Sequence, residues 1–201
     1  MNIDYITACG HAVNFSKPEN TRFDWEDIRI HTENLNRYNG ALKWSLIQHL
    51  YLCTELVSIL YPEHPDQELL KALVAAHDLH EIYIGDVVSG LKKYLPEYVL
   101  LEEEWEKWIH KTLDISWEDR NRLMPEVRQV DITALVLEMT QLQHPAAQLV
   151  QRKYNVNPYQ VSYRKAFDST VFATNIGCIF KDLKTLIVEY SLKKQKENYV
   201  G

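Results

Sequence analysis

The chain has 201 residues, of which 46% are hydrophobic and 25% are charged, a composition typical of one globular domain. Its formal net charge of −6 disfavours a broad nucleic-acid-binding surface, although a local group of basic side chains can still hold a phosphate. The three cysteines lack Cys-x-x-Cys spacing and no apolar run is long enough to cross a membrane, so we expect a cytoplasmic protein without disulfides.

Apolar residues recur with the helical period along most of the chain, which predicts an all-α domain of about six to eight helices. The N-terminal segment looks irregular, apart from a short strand near residues 12–15. Asp24 and Ser45 are then placed to cap two successive helices, with the turn signal Asn39-Gly40 between them.

Five further helices are predicted after these two. Their expected bounds are Gln67 to about Tyr83, Glu97 to Leu113, a short helix after Ser116, Pro125 to about Gln143, and Asp168 to Lys194. The run Glu102-Glu103-Glu104 predicts a solvated helix face. No repeat or linker interrupts the pattern, so residues 1–201 are interpreted as a single domain with a core of about 25–190 and a frayed C-terminal tail.

The most informative segment is the pair His77-Asp78, which closes an apolar helical run. Imidazole and carboxylate groups are ligands that hold divalent metals in proteins. His49 and Asp131 lie on otherwise apolar helix faces, where an unpaired charge is costly. The four residues make sense together around one cation. Because adjacent residues of a regular helix point about 100° apart, the ion must sit where a helix end bends.

Two more carboxylates follow the pair and predict acid–base chemistry. Glu81 comes one helical turn after His77, on the same side, and can accept or relay the proton of an attacking water. Asp86 follows the turn at Gly85 and can orient that water or protonate the leaving oxygen.

Basic and aromatic residues near these positions predict a site for a phosphorylated base. Arg37 and Lys92 supply positive charge for phosphoryl oxygens. Tyr38 and Trp44 are candidates to stack on the base.

Taken singly, most of these residues have a structural interpretation. His49 alone would be a core histidine, and Asp131 alone would be a helix cap soon after Pro125. Glu81 and Asp86 would be ordinary helix-end carboxylates. Their combination and spacing favour a metal site instead.

The order His49…His77-Asp78…Asp131 resembles the H…HD…D signature of the HD-domain phosphohydrolases. The segment His-Asp-Leu-His-Glu-Ile-Tyr-Ile-Gly-Asp-Val-Val-Ser-Gly-Leu-Lys, which ends at Lys92, is similar in more detail to the bacterial 5′-deoxynucleotidases and their viral relatives. Some of those relatives hydrolyse deoxynucleoside triphosphates, including dATP. Residues 36–40, 44–49 and 130–138 resemble further segments of the same group.

This resemblance implies a single HD-domain helical bundle that hydrolyses phosphate from deoxynucleotides. It assigns the ligands of one divalent ion (Co, Mn, Zn or Mg) to His49, His77, Asp78 and Asp131, with a second Mg for a triphosphate substrate. It assigns catalysis to Glu81 and Asp86, phosphate binding to Arg37 and Lys92, and a place near the nucleoside to Tyr38. Gly90 departs from the pattern, which has a proline at that position.

Two other functions stay open. One is a phosphodiesterase of a cyclic or signalling nucleotide, which the spacing of Glu81 and Asp86 disfavours. The other is a nucleotide-binding regulator with a degenerate metal site, which the complete ligand set disfavours. The expected partner is a small-molecule deoxynucleotide rather than a nucleic acid or a membrane. The aromatic helix at 98–117 predicts a homo-oligomer, dimeric or larger.

Overall fold

The computed structural model describes residues 3–172 and 176–200, and its helical architecture confirms the predicted all-α class. Two short strands, β1 (Tyr5–Ile6) and β2 (Ala12–Val13), form an antiparallel pair ahead of the first helix. The helices that follow are α1 (Trp25–Asn34), α2 (Leu46–Leu60), α3 (Gln67–Ala76), α4 (Glu81–Ile84), α5 (Ser89–Lys92), α6 (Pro96–Thr112), α7 (Trp117–Arg122), α8 (Met124–Gln141), α9 (Ala147–Tyr154), α10 (Val161–Phe172) and α11 (Ile176–Val200). The seven predicted helices overlap α1, α2, α3, α6, α7, α8 and α11, whereas α5 and α9 lie outside every predicted range.

Three helices begin at their predicted caps, among them α2, which carries His49. The Asp24 carboxylate accepts a hydrogen bond from the backbone N–H of Glu26 at 2.8 Å, so α1 begins where the sequence predicts. At the start of α2, the backbone N–H of Ser45 donates to the side-chain oxygen of Gln48 at 3.0 Å. Ser116 caps α7 in the same way as Asp24 caps α1.

Helix α2 is the centre of the bundle and packs against α1, α3, α8, α10 and α11. It is apolar around most of its circumference, as expected for a helix with neighbours on several sides. Its buried apolar residues are Leu46, Ile47, Leu50, Leu52, Cys53, Leu56 and Val57. His49 lies between the buried residues Ile47 and Leu50 and is itself fully buried. Helix α2 therefore places an imidazole side chain in the apolar core.

Helix α3 ends at Ala76, and the prediction that it continues to Tyr83 is wrong. After Ala76 the backbone tightens: the N–H of Leu79 bonds to the carbonyl of Ala76, and the N–H of Glu81 bonds to the carbonyl of Asp78, each at 3.1 Å. Such three-residue bonds are common where a helix ends. The His-Asp pair therefore lies in a tight turn rather than in a regular helix.

The C-terminal helices also differ from the predicted single helix from Asp168 to Lys194. Asp168 lies inside α10, where its carboxylate is 3.5 Å from Arg164 Nε, and that helix begins at Val161. Helix α11 continues to Val200, through a segment rich in Lys, Gln and Glu, which are good helix formers. Residues 173–175 lie outside the described part of the chain.

Helix α6 turns part of its aromatic surface inward. Trp105 is fully buried, and its ring stacks on Tyr83 with centroids 4.7 Å apart. Large apolar side chains that are exposed near the start of this helix include Tyr94 and Leu100. The homo-oligomer stays a prediction. Within the described ranges, no helix combines the length and the apolar composition that crossing a bilayer requires.

Candidate metal centre

Three of the four predicted metal ligands converge. His49 comes from α2, and His77 and Asp78 come from the turn after α3; one ligand atom from each lies within 4.8 Å of the others. The two imidazole Nε2 atoms are 3.4 Å apart. Asp78 Oδ2 lies 3.2 Å from His77 Nε2 and 3.7 Å from His49 Nε2. The tight turn thus brings both members of the adjacent pair to one point.

Asp131, the fourth predicted ligand, borders this group. Its Oδ1 lies 3.4 Å from His49 Nε2, although it is not part of the group that lies within 4.8 Å. The alternative that Asp131 caps a helix is wrong, because α8 begins at Met124 and Asp131 lies well inside it. The side chain of Asp131 is 42% exposed, whereas His49 is fully buried, so Asp131 occupies the open side of the group.

The hydrogen bonds of the two histidines leave both Nε2 atoms available to a metal. His49 Nδ1 is 2.6 Å from Glu138 Oε1, and His77 Nδ1 is 2.8 Å from the carbonyl oxygen of Val74. These oxygens accept hydrogen bonds, so each Nδ1 is the donor and each neutral ring has its lone pair on Nε2. Two such lone pairs face each other beside the carboxylate of Asp78. This donor set fits a divalent cation.

Neighbouring charges shift the pKa values of His49 and Asp78 in opposite directions. Burial and the Arg37 charge push the pKa of His49 down, but the acidic groups around the ring outweigh them and raise it well above its ordinary value. Burial likewise opposes the charged form of Asp78, yet His77, His49 and Arg37 hold the pKa of its carboxyl well below the usual range. The acidic groups around His49 therefore favour its positively charged form, and the basic groups around Asp78 favour its carboxylate form.

Of the two predicted catalytic carboxylates, Glu81 interacts electrostatically with Asp78, and Asp86 interacts electrostatically with Glu81. Glu81 is buried at the start of α4, and burial, followed by the charges of Asp78 and Asp86, raises the pKa of its carboxyl well above the usual range. Asp86 is half-buried and follows Gly85, whose φ of +81° ends α4. The two carboxyl groups are thus close enough to interact electrostatically.

Arg37 lies against the ligands rather than free in solution. Its Nη1 is 3.5 Å from Asp78 Oδ2, and its Nε is 3.3 Å from Glu138 Oε2. The neighbouring Tyr38 donates its hydroxyl to Glu138 Oε2 at 2.6 Å. The structure therefore brings both predicted substrate-binding residues of this loop to the edge of the candidate metal site.

Lys92 forms an ion pair with Glu102, a residue that was predicted to lie on a solvated helix face. Its Nζ forms a close ion pair with Glu102 Oε1, which also lies 3.4 Å from His80 Nε2. The prediction that Glu102 belongs to a solvated face is wrong, because its side chain is only 14% exposed and faces α5. The phosphate-binding role of Lys92 stays a prediction.

Trp44 does not line the site, and the prediction that it stacks on a base is wrong. Its side chain is 1% exposed, and its ring is parallel to that of Phe167 with centroids 5.0 Å apart. The reason is its position just before the cap of α2, where the chain turns the indole into the contact between α2 and α10.

Glu138 is a residue that the sequence interpretation missed. It is fully buried on α8 and contacts both His49 and the loop at Arg37 and Tyr38. Two signals could have identified it. It follows Asp131 by seven residues, which places both on one face of the helix, and it is a lone carboxylate in an apolar run, where an unpaired charge is costly.

Comparison with known proteins adds little to this geometry. No family model matches the chain. Over 80 residues it is 35% identical to a protein of Escherichia coli (strain K12) named "Uncharacterized protein YfdR". The match covers 39% of this chain and 40% of the length of that relative.

Proposed function

We propose that this protein is a divalent-metal-dependent phosphohydrolase of the HD-domain type that acts on deoxynucleotides. The observation that carries the proposal is the convergence of His49, His77 and Asp78, with Asp131 3.4 Å from His49 Nε2. A mixed imidazole and carboxylate site accepts Co, Mn, Zn or Mg. The motif that follows the His-Asp pair, and its likeness to the deoxynucleotidases, support the substrate class.

The surrounding side chains suit hydrolysis of a phosphate bond. A divalent ion, when bound, polarises a phosphoryl oxygen and lowers the pKa of a coordinated water. Glu81 can exchange a proton with the attacking water, because its raised pKa makes proton transfer near neutral pH easier than for an ordinary carboxyl. Asp86, the neighbouring carboxylate, can orient that water. Of the two, Glu81 is the one that interacts electrostatically with the candidate ligand Asp78.

Positive charge for the phosphate comes from two side chains that are already paired with carboxylates. Arg37 faces Asp78 and Glu138, and Lys92 faces Glu102. A phosphate that enters the site would compete with these carboxylates for the same donors, as expected for groups that offset negative charge during bond cleavage.

The experiment that tests the function is a substrate panel with defined metals. The full chain is incubated with dAMP, dATP or cyclic AMP, each with Co, Mn, Zn or Mg added, and phosphate, triphosphate, nucleoside and nucleoside monophosphate are quantified. We expect release of phosphate from dAMP or of triphosphate from dATP. Hydrolysis of cyclic AMP alone would assign the protein to the phosphodiesterases, and metal binding without any hydrolysis would make it a regulator.

Variants of the ligands make the panel specific to this site. We expect His77→Ala and Asp78→Ala each to lower the rate by at least about 100-fold, because each removes a ligand. His64→Ala is the matched control. Its imidazole accepts a hydrogen bond from the backbone N–H of Asp66 and lies outside the ligand group, so the variant should keep its activity. Full activity of His77→Ala would overturn the proposal.

A further inference from the structure

Glu138 is the point at which the candidate metal site and the neighbouring loop meet. One carboxylate oxygen, Oε1, faces His49 Nδ1 at 2.6 Å. The other, Oε2, accepts the hydroxyl of Tyr38 at 2.6 Å and lies 3.3 Å from Arg37 Nε. Both oxygens of this fully buried carboxylate are thus occupied by groups of the site.

The contact with His49 affects how that ring can bind a cation. A carboxylate that accepts from Nδ1 keeps the proton there, so the Nε2 lone pair points at His77 and Asp78. Its negative charge also makes the ring a stronger donor to a metal. Val74 offers His77 only a neutral carbonyl, so His49 has the stronger support of the two imidazoles.

The hydrogen bond from Tyr38 to Glu138 stabilises a loop with an unfavourable backbone conformation. Tyr38 and Asn39 have φ values of +58° and +52°, and Gly40 follows with +75°. Left-handed backbone is disfavoured for residues with a side chain, and two in succession persist only where other contacts impose them. The hydroxyl of Tyr38 reaches from this loop to Glu138 and provides such a contact.

We propose that Glu138 is a positioning residue that sets the donor nitrogen of His49 and, through its second oxygen, holds the loop of Arg37 and Tyr38 against the same site. The inference rests on the proposed function for the identity of the bound group, a divalent metal. It goes beyond that function because it makes metal affinity and loop position depend on one carboxylate.

The test is Mn²⁺ binding by isothermal titration calorimetry to the metal-stripped full chain. Glu138→Gln keeps the shape of the side chain and removes its charge, and we expect a 10- to 100-fold weaker Mn²⁺ affinity. Tyr38→Phe removes only the loop hydrogen bond, so it should change the Mn²⁺ affinity less than about threefold while raising KM for the substrate. Glu126→Gln, in the first turn of the same helix, is the matched control.

The outcomes separate this inference from the proposed function. Wild-type protein that binds no Mn²⁺ contradicts the metal site itself. Wild-type protein that binds, together with Glu138→Gln that binds within twofold of it, contradicts only the role of Glu138.

A measurement on the unsubstituted protein covers the case in which Glu138→Gln does not fold. In nitrogen-15 histidine spectra of the zinc-loaded chain, the Nδ1 proton of His49 should be present, shifted downfield and protected from solvent. Zinc bound through Nδ1 of His49, or an Nδ1 proton that exchanges freely with water, would overturn the inference.

Discussion

The indole of Trp44 lies face to face with the ring of Phe167, with the two planes only 7° apart and the centroids separated by 5.0 Å. This contact joins α10 to the start of α2, the helix that carries His49. A residue that the sequence placed against the substrate therefore belongs to the support of the site.

Trp44→Ala is expected to lower the free energy of unfolding by about 3–5 kcal/mol, because it leaves a cavity in the core. Trp44→Phe should cost less, since it keeps an aromatic ring and removes an indole N–H that has no hydrogen-bond partner in the described part of the chain. Urea denaturation measures both. Tyr159→Ala, at a 70% exposed aromatic residue, is the control and should stay within about 0.5 kcal/mol of the wild type. A small loss for Trp44→Ala would show that its ring is not a core element.

Lys92 and Lys93 form a matched pair for phosphate binding. Lys92 faces Glu102, on the side of Glu81 and Asp78, whose charges act on its ammonium group. Lys93 instead lies over the exposed ring of Tyr94, 4.8 Å from its centroid. If Lys92 binds phosphate, Lys92→Met should raise KM about tenfold or more, the cost of one charged hydrogen bond.

Steady-state kinetics on the best substrate of the panel provide the comparison. Lys93→Met should change KM by less than about twofold, because an exposed charge is screened. Equal effects of the two variants would mean that the two lysines act only through the general field of the protein.

Alanine substitutions at Gly85 and Gly90 distinguish the effect of backbone strain from the effect of steric crowding. A Cβ at either position would meet no atom within 4 Å, but Gly85 has a φ of +81° and Gly90 lies in helix α5. Gly85→Ala should cost about 1–3 kcal/mol of stability and displace Asp86. Gly90→Ala should be neutral or stabilise by about 0.4–1 kcal/mol, because it restricts the unfolded chain. Urea denaturation and activity of both variants check this, and equal stabilities would contradict it.

We expect His110 to make the free energy of unfolding fall at acidic pH. It is buried on α6, and neither ring nitrogen has a hydrogen-bond partner in the described part of the chain. Burial, and then the charge of Arg120, lower the pKa of His110 to about 3. Between about 3 and its ordinary value of about 6.5, the unfolded state binds a proton that the folded state does not, so stability falls as pH falls.

His110→Leu removes this titration and isolates its effect. The difference in unfolding free energy between wild type and variant should shift by about 2 kcal/mol between pH 7 and pH 5, to the disadvantage of the wild type. Urea denaturation at a series of pH values measures it. A difference that is independent of pH would mean that water reaches the ring in the folded state.

The sequence predicted those features of the fold that depend on neighbouring residues. Asp24 and Ser45 mark helix starts through local hydrogen bonds: the Asp24 carboxylate accepts from the backbone N–H of Glu26, and the Gln48 side chain accepts from the backbone N–H of Ser45. The end of α3 at Ala76 could not be predicted in this way. His77 and His80 keep helical backbone angles, and no glycine or proline marks the end of the helix there.

The site was predicted in part for a similar reason. His77 and Asp78 were identified as an adjacent pair of metal-ligand types, and His49 and Asp131 as polar residues on apolar helix faces, where an unpaired charge is costly. The ion-pair partners of Lys92 and Arg37 depend on which helices are adjacent in space. The spacing of residues along the chain does not reveal which helices these are. Glu138 could have been found from its place on the same helix face as Asp131, and was not.

The candidate ligands come from α2, from the turn after α3 and, for Asp131, from α8, so their arrangement exists only when these helices are assembled. An ion held there would bind the native state and ignore the denatured one, and its binding energy would add to the folding equilibrium. If the proposed metal site is correct, chelators should therefore lower the melting temperature as well as any hydrolytic activity, and limiting metal supply would leave the protein more open to proteolysis.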